Sequence, residues 1–310
     1  MYESNRSTLL IGNGLNNCLN NGISWANLLE EIAKDYLVNY NGLIPMPLEF
    51  ESILNQILAK EKMPSPNLYD QVKQKVASKI NNTILPYNAI HHELYKKRID
   101  AIMTTNYDNL LEYVFNPFYE FKGDKKKTYL FDETSQQQKI SFYHIHGLAD
   151  NPKTICLGYE HYMGVVENLR RKINTEEKGI TGTMKICQVL FDPTKRKNTW
   201  YERFYTDDIS IVGLGLSESE VDLWWLITHR AYLYFSNYGG VKKYLTNKIT
   251  YYDIIDPKAK NMDEKEKKHF MLKNSHVNVE KLSIGKDCSD YEEGYRMILD
   301  KLGTSNNYST

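Results

Sequence analysis

Three short segments, in fixed order, carry the groups best suited to chemistry. They are Ile11-Gly12-Asn13-Gly14-Leu15-Asn16-Asn17, then Thr104-Thr105-Asn106-Tyr107-Asp108-Asn109-Leu110-Leu111-Glu112, then His144-Ile145-His146-Gly147. A Gly-x-Gly turn after an apolar strand lets backbone approach a pyrophosphate, and the helix start beyond it supplies N–H donors. Gly12, Asn13, Gly14 and Asn16 are therefore candidate ligand contacts, with Asn17, Asn20, Asn21 and Ser24 adding hydrogen-bonding groups and helix caps. A tight strand–loop turn in any α/β protein reads the same way. Asn106 and Asp108 follow a strand predicted over 99–105. Asn can bond ribose hydroxyls in both directions and Asp can accept from a carboxamide NH2, although an Asx turn capping a helix uses the same residues. His146 stands at another strand end, where it is either structural or a titratable group able to act as base or orient a hydroxyl. His144, two residues earlier, faces the other side of that strand and reads as core.

The elements that must position these groups alternate between strand and helix. Strands are expected at 7–11, 99–105, 153–157, 209–213, 248–255 and 277–282, with a β-rich stretch from Tyr119 to Ile145 turning at Gly123–Lys127. Helices are expected at 25–38, 48–60, 68–84 with a break near Pro64 and Pro66, from 108, through most of 160–205 with a loop around Lys172–Gly182, from Glu218, and at 292–302. This alternation predicts an α/β fold with a Rossmann-like, mostly parallel sheet and helices on both faces. The long stretch between the first two strands exceeds what a crossover needs. It reads as a helical insertion at roughly 45–98 within a single unit over 1–310, with a second mainly helical segment at roughly 160–205. The tail Gly303–Thr310 reads as disordered.

Composition narrows the function. Lys+Arg and Asp+Glu both number 39, so no global basic field argues for nucleic acid as a direct ligand. Cys18, Cys156, Cys187 and Cys288 are scattered without a Cys-x-x-Cys pair, and His91-His92 lacks companion ligands, so no metal is expected. Without a signal-peptide pattern or an apolar run of membrane length, the expectation is a cytoplasmic protein. The dinucleotide fingerprint of hydride-transfer enzymes is incomplete, because Asn17 stands at the third glycine position and no second strand with a terminal acid follows. The charged runs at 125–127 and 263–268 read as solvated surface. The helix over 218–235 is apolar nearly all round after its acidic start, which suits a wholly buried helix or one at an interface.

The three segments, with Ile23–Leu29, Cys156–Tyr162 and Val212–Ser217, resemble the sirtuin superfamily, and more closely its bacterial sirtuin-like NADase branch in anti-phage defence. The similarity runs from about residue 9 to 255. It implies NAD bound as substrate rather than as a resident cofactor, across the carboxyl edge of the sheet. Asn106 and His146 would be the catalytic pair, with Asp108 on the nicotinamide amide and Gly12 and Gly14 along the pyrophosphate. Gly213, Gly215 and Ser217 would approach the adenosine half, and Asp253 or Asp256 the adenine ribose. Asn13 and Asn16 depart from the small residues usual in that family's first loop. The four-cysteine zinc module of protein deacetylases is absent, which favours NAD cleavage over deacetylation. The resemblance further implies a regulated effector that depletes NAD, as a homo-oligomer or in complex with a separate sensor. Its alternatives are a non-catalytic sensor of NAD or ADP-ribose, or a structural scaffold.

Overall fold

Short apolar runs whose alternate side chains face opposite ways build the sheet. The computed structural model describes residues 6–18, 24–60, 67–83, 88–174, 184–259 and 261–302. The chain runs β1 (Ser7–Ile11), α1 (Gly14–Asn17), α2 (Trp25–Asp35), α3 (Met46–Lys60), α4 (Leu68–Asn81), α5 (Ala89–Leu94), β2 (Ala101–Thr104), α6 (Leu110–Phe115), β3 (Ser135–Gln137) and β4 (Ile140–His144). It continues through α7 (Tyr159–Asn174), α8 (Lys185–Phe191), α9 (Trp200–Thr206), β5 (Asp208–Val212), α10 (Val221–Ser236), β6 (Ile249–Ile255), α11 (Met262–Asn274), β7 (Asn278–Ser283) and α12 (Tyr291–Asp300). The sheet order is β3-β4-β2-β1-β5-β6-β7, parallel throughout except for the short edge pair β3–β4.

Leu9, Ile11, Ile102, Phe142 and Val212 pack with α5, α6 and α12, whereas Leu10, Met103, Tyr143 and Ile211 pack with α7 to α10. The period-2 alternation of strand side chains thus fills two cores, and helices cover both faces, an α/β Rossmann-like arrangement. A third core joins α2, α3 and α4 to Tyr107, Ala149, Ile155 and Leu157, which ties the helices between β1 and β2 to the loops beyond β2 and β4. Local signals fix several helix starts. Ser24 Oγ accepts from the Asn27 N–H, a capping box closes Asn88 on His91, and the Thr199 N–H donates to Glu202 Oε2.

Some expectations change. Within 119–145 the only strands are β3 and β4, and the chain joins the sheet at Thr134, whose N–H donates to Phe142 O at 2.8 Å. Residues 153–157 form no strand. Pro152 starts a 3-10 turn through Thr154, and the chain then runs extended along the His146 loop, with Cys156 N–H bonding His146 O at 2.8 Å. α10 is not wholly buried: Leu223, Leu226, Ile227 and Leu233 face the core, but Tyr232 and Phe235 are 53% and 60% exposed. Asn20, Asn21, Pro64, Pro66, the tail from Gly303 and most of the loop expected around Lys172–Gly182 lie outside the described residues. Among the described residues, no helix is long and apolar enough to cross a membrane.

Gly147 makes the turn out of β4 possible. Its φ is +101°, and a Cβ there would lie 2.2 Å from Thr154 O. Gly147→Ala is expected to destabilise the protein by about 1–3 kcal/mol from backbone strain alone. A lower urea midpoint at unchanged slope would register it.

Candidate active site

Register puts the predicted groups on one edge. Ile11 pairs with Thr104 and with Val212, and Thr104 pairs with His144, so β1, β2, β4 and β5 end level with one another. The strand order reverses between β1 and β5, and at such a reversal the loops part and leave a crevice. Here the crevice is a cleft of about 1570 Å³. Asn13, Gly14, Asn106, Asp108, His146, Gly213, Gly215, Ser217 and Asp253 all line it.

Two expected contacts do not. Gly12 packs turn against turn, where a Cβ would meet Gly213 O at 2.5 Å and Leu214 Cα at 2.6 Å. Its lack of a side chain serves the approach of the two loops rather than a ligand. Asn16 is buried below the cleft floor between His91 and Asp108. Asp253 lies within β6, as the strand expected over 248–255 implies, and lines the cleft. Asp256 receives the Lys258 N–H and stands outside the cleft lining.

A buried chain of hydrogen bonds holds each of the three polar candidates. Asn106 is fixed through its backbone: its N–H donates to Thr104 Oγ1 at 3.0 Å, and its carbonyl accepts from His144 Nδ1 at 3.0 Å. His144 Nε2 donates to Glu112 Oε1 at 2.8 Å. Both ring nitrogens therefore face acceptors, which requires the imidazolium. Burial alone would lower the His144 pKa, but the Glu112 charge and these bonds carry it above its ordinary value. The Asn106 side chain is different: its Nδ2 is buried and has no partner among the described residues.

Asp108 is held from the other side. Its Oδ1 accepts the Leu110 N–H and its Oδ2 accepts from Asn16 Nδ2. Asn16 Oδ1 in turn bonds His91 Nε2 at 3.0 Å, while His91 Nδ1 accepts the Asn88 N–H. That capping bond assigns the ring proton to Nε2, and burial, pushing the His91 pKa down to about 4, keeps the ring neutral. Burial also raises the Asp108 carboxyl.

His146 meets a carboxylate. Its Nε2 lies 3.1 and 3.3 Å from the two oxygens of Asp222 in the first turn of α10. Nearby Glu220, half-buried at the cleft, accepts the Ser217 N–H, and desolvation raises its carboxyl to about 7. At the far end Asp253 binds Lys265 and His269, both at 2.8 Å, and Lys268 Nζ donates to Gly215 O at 2.7 Å. Lys265 and Lys268 line the cleft, so the run at 263–268 is not simply solvated surface.

Sequence reasoning thus missed Glu112, Asp222, Lys265 and Lys268. Asp222 was masked as part of the acidic start of its helix; only its burial in the structure shows that the carboxylate needs a partner. Among the described residues no cluster of three or more His, Cys, Asp or Glu side chains could hold a metal ion. What the cleft offers is a free amide donor, a histidine backed by a carboxylate, and cations at the opposite end.

Comparison with known families bears on the central part of this site. Residues 100–232 match the family model of a SIR2-like domain. The matched span starts at the approach to β2 and ends within α10, so it contains Asn106, Asp108, Glu112, His144, His146, Gly213–Ser217 and Asp222, but neither the first Gly-x-Gly turn nor Asp253. No curated protein matches the chain.

Proposed function

We propose that the protein is an NAD hydrolase that breaks the bond between nicotinamide and ribose. The SIR2-like match supports an NAD-related activity, and the unpartnered Asn106 amide carries the finer reading. A buried donor left unsatisfied costs about 1–3 kcal/mol, and an oxygen of a bound ligand would remove that cost. A ribose hydroxyl or an attacking water has the required chemistry.

In this reading the nicotinamide ribose lies between Asn106 and His146, and Asp108 takes the carboxamide. The pyrophosphate runs past Asn13, Gly14 and Gly213. The adenosine half extends along Gly215 and Ser217 toward Asp253 with its partner Lys265. Nicotinamide is a cationic leaving group, so C1′–N cleavage releases it neutral without a proton donor. The ribose becomes oxocarbenium-like, the charge problem familiar from glycoside hydrolysis. Asn106 orients the ribose hydroxyls or the water, and His146 accepts a proton as water adds to C1′. The balance is NAD and water in, nicotinamide, ADP-ribose and a proton out. Such an activity suits a regulated effector that depletes NAD in antiviral defence, and the exposed Tyr232 and Phe235 of α10 offer a surface for a regulator or a second copy.

Nicotinamide release from NAD by the purified chain, alone and with the proteins encoded beside it, tests this, with NAD binding measured in parallel. Release supports hydrolysis, and dependence on a neighbour identifies the regulator. Binding without release supports the sensor reading, and loss of both overturns the assignment.

A further inference from the structure

We infer that Asp222 is a positioning residue that holds His146 as its Nε2–H tautomer and leaves Nδ1 as the proton acceptor for the ligand. This rests on the reading above, in which His146 takes a proton. His146 is 2% exposed and lines the cleft, whereas Asp222 is fully buried and does not. The nitrogen bonded to Asp222 is therefore turned into the protein, and Nδ1 has no partner among the described residues. A carboxylate accepts only, so the ring proton belongs on Nε2.

The surroundings leave this pairing to set the ring's charge. From α7, Tyr162 meets the His146 ring edge-on at 5.3 Å, and its hydroxyl, like those of Tyr107 and the Cys156 thiol, is pushed far up by burial and stays neutral. His161, also on α7, is driven down to about 3 by burial and by Lys73 of α4, and is neutral too. Asp222 and Glu220 are the acids acting on the ring. Burial alone would lower the His146 pKa, but Asp222 chiefly raises it above its ordinary value. Activity should accordingly rise with pH as the imidazolium gives up its Nδ1 proton.

Asp222→Asn separates this from a structural role. The asparagine amide can donate to Nε2, which moves the ring proton to Nδ1 and removes the acceptor. An orienting carboxylate replaced in this way has cost a Ser-His-Asp enzyme about 10⁴-fold in kcat. For Asp222→Asn we expect a loss of at least about 10²-fold in kcat with KM little changed, and an acid limb shifted to lower pH. A second measurement needs no turnover: ring ¹⁵N spectra of the full chain, with His146 assigned by loss of its signal in His146→Gln. The wild type should show protonated Nε2 and free Nδ1 above a raised pKa, and Asp222→Asn the opposite tautomer. Spectra with Nδ1 protonated in the wild type would overturn the inference while leaving hydrolysis standing. Absence of turnover beside the expected spectra would instead sink the hydrolase reading. If Asp222→Asn fails to fold, the wild-type spectra alone decide.

Discussion

Asn106→Ala is expected to lower nicotinamide release by about 10²–10³-fold, the range seen when one preorganised donor is removed from a reacting centre. NAD binding should change far less, because the glycine turns and the Lys265–Asp253 end remain. The fold should persist. The backbone of Asn106 is anchored by Thr104 and His144, and its amide nitrogen makes no bond that the substitution would break. Asn106→Asp refines the point, since it keeps the size and substitutes acceptors for the donor. It should be nearly as inactive as the alanine variant, measured under saturating NAD. Full turnover in either folded variant would remove Asn106 from the mechanism.

Glu112→Ala should produce the largest loss of stability. Glu112 and His144 are both fully buried at the side chain, and deleting the carboxylate strands an imidazolium or forces it to give up its proton. Breaking a buried pair from one side typically costs about 3–5 kcal/mol. The cost has a pH signature. The His144 pKa is raised in the folded state, so the pairing contributes fully below the unfolded value of about 6.5 and fades as pH climbs through the folded one. The gap between wild type and Glu112→Ala in urea unfolding should therefore be widest in mild acid and narrow toward alkaline pH. Glu112→Gln keeps an acceptor for the ring N–H and should lose less. A gap that does not vary with pH would mean that His144 is neutral in the folded protein.

The groups legible in the sequence were those whose signals are local. Asn106, Asp108 and His146 each follow a strand within a few residues, and strand ends in a parallel sheet converge on one edge, so the topology gathers them without further information. Their supports were not legible. His144 to Glu112, Asn16 to His91 and His146 to Asp222 span 32, 75 and 76 residues, and no periodicity encodes which helix will turn an acid toward which ring. Lys265 and Lys268 were hidden in a charged run that looks like any solvated helix face, and only the packing of α11 beside β6 turns them, with Lys267, to the cleft. The segment at 153–157 misled because burial of Ile155, Cys156 and Leu157 comes from loop packing, which leaves the same apolar signature as a strand.

The three buried tethers behind Asn106, Asp108 and His146 also determine how the protein should respond to random change. Its vulnerable positions extend well beyond the cleft, along lines that reach Glu112 through His144, His91 through Asn16, and Asp222. A genetic selection for inactive alleles would recover lesions at these buried positions alongside those in the cleft. Suppressors would then be sought at the next residue along the same line: Thr104 and Glu112 for the first, Asn88 for the second, and the opening turn of α10 for the third.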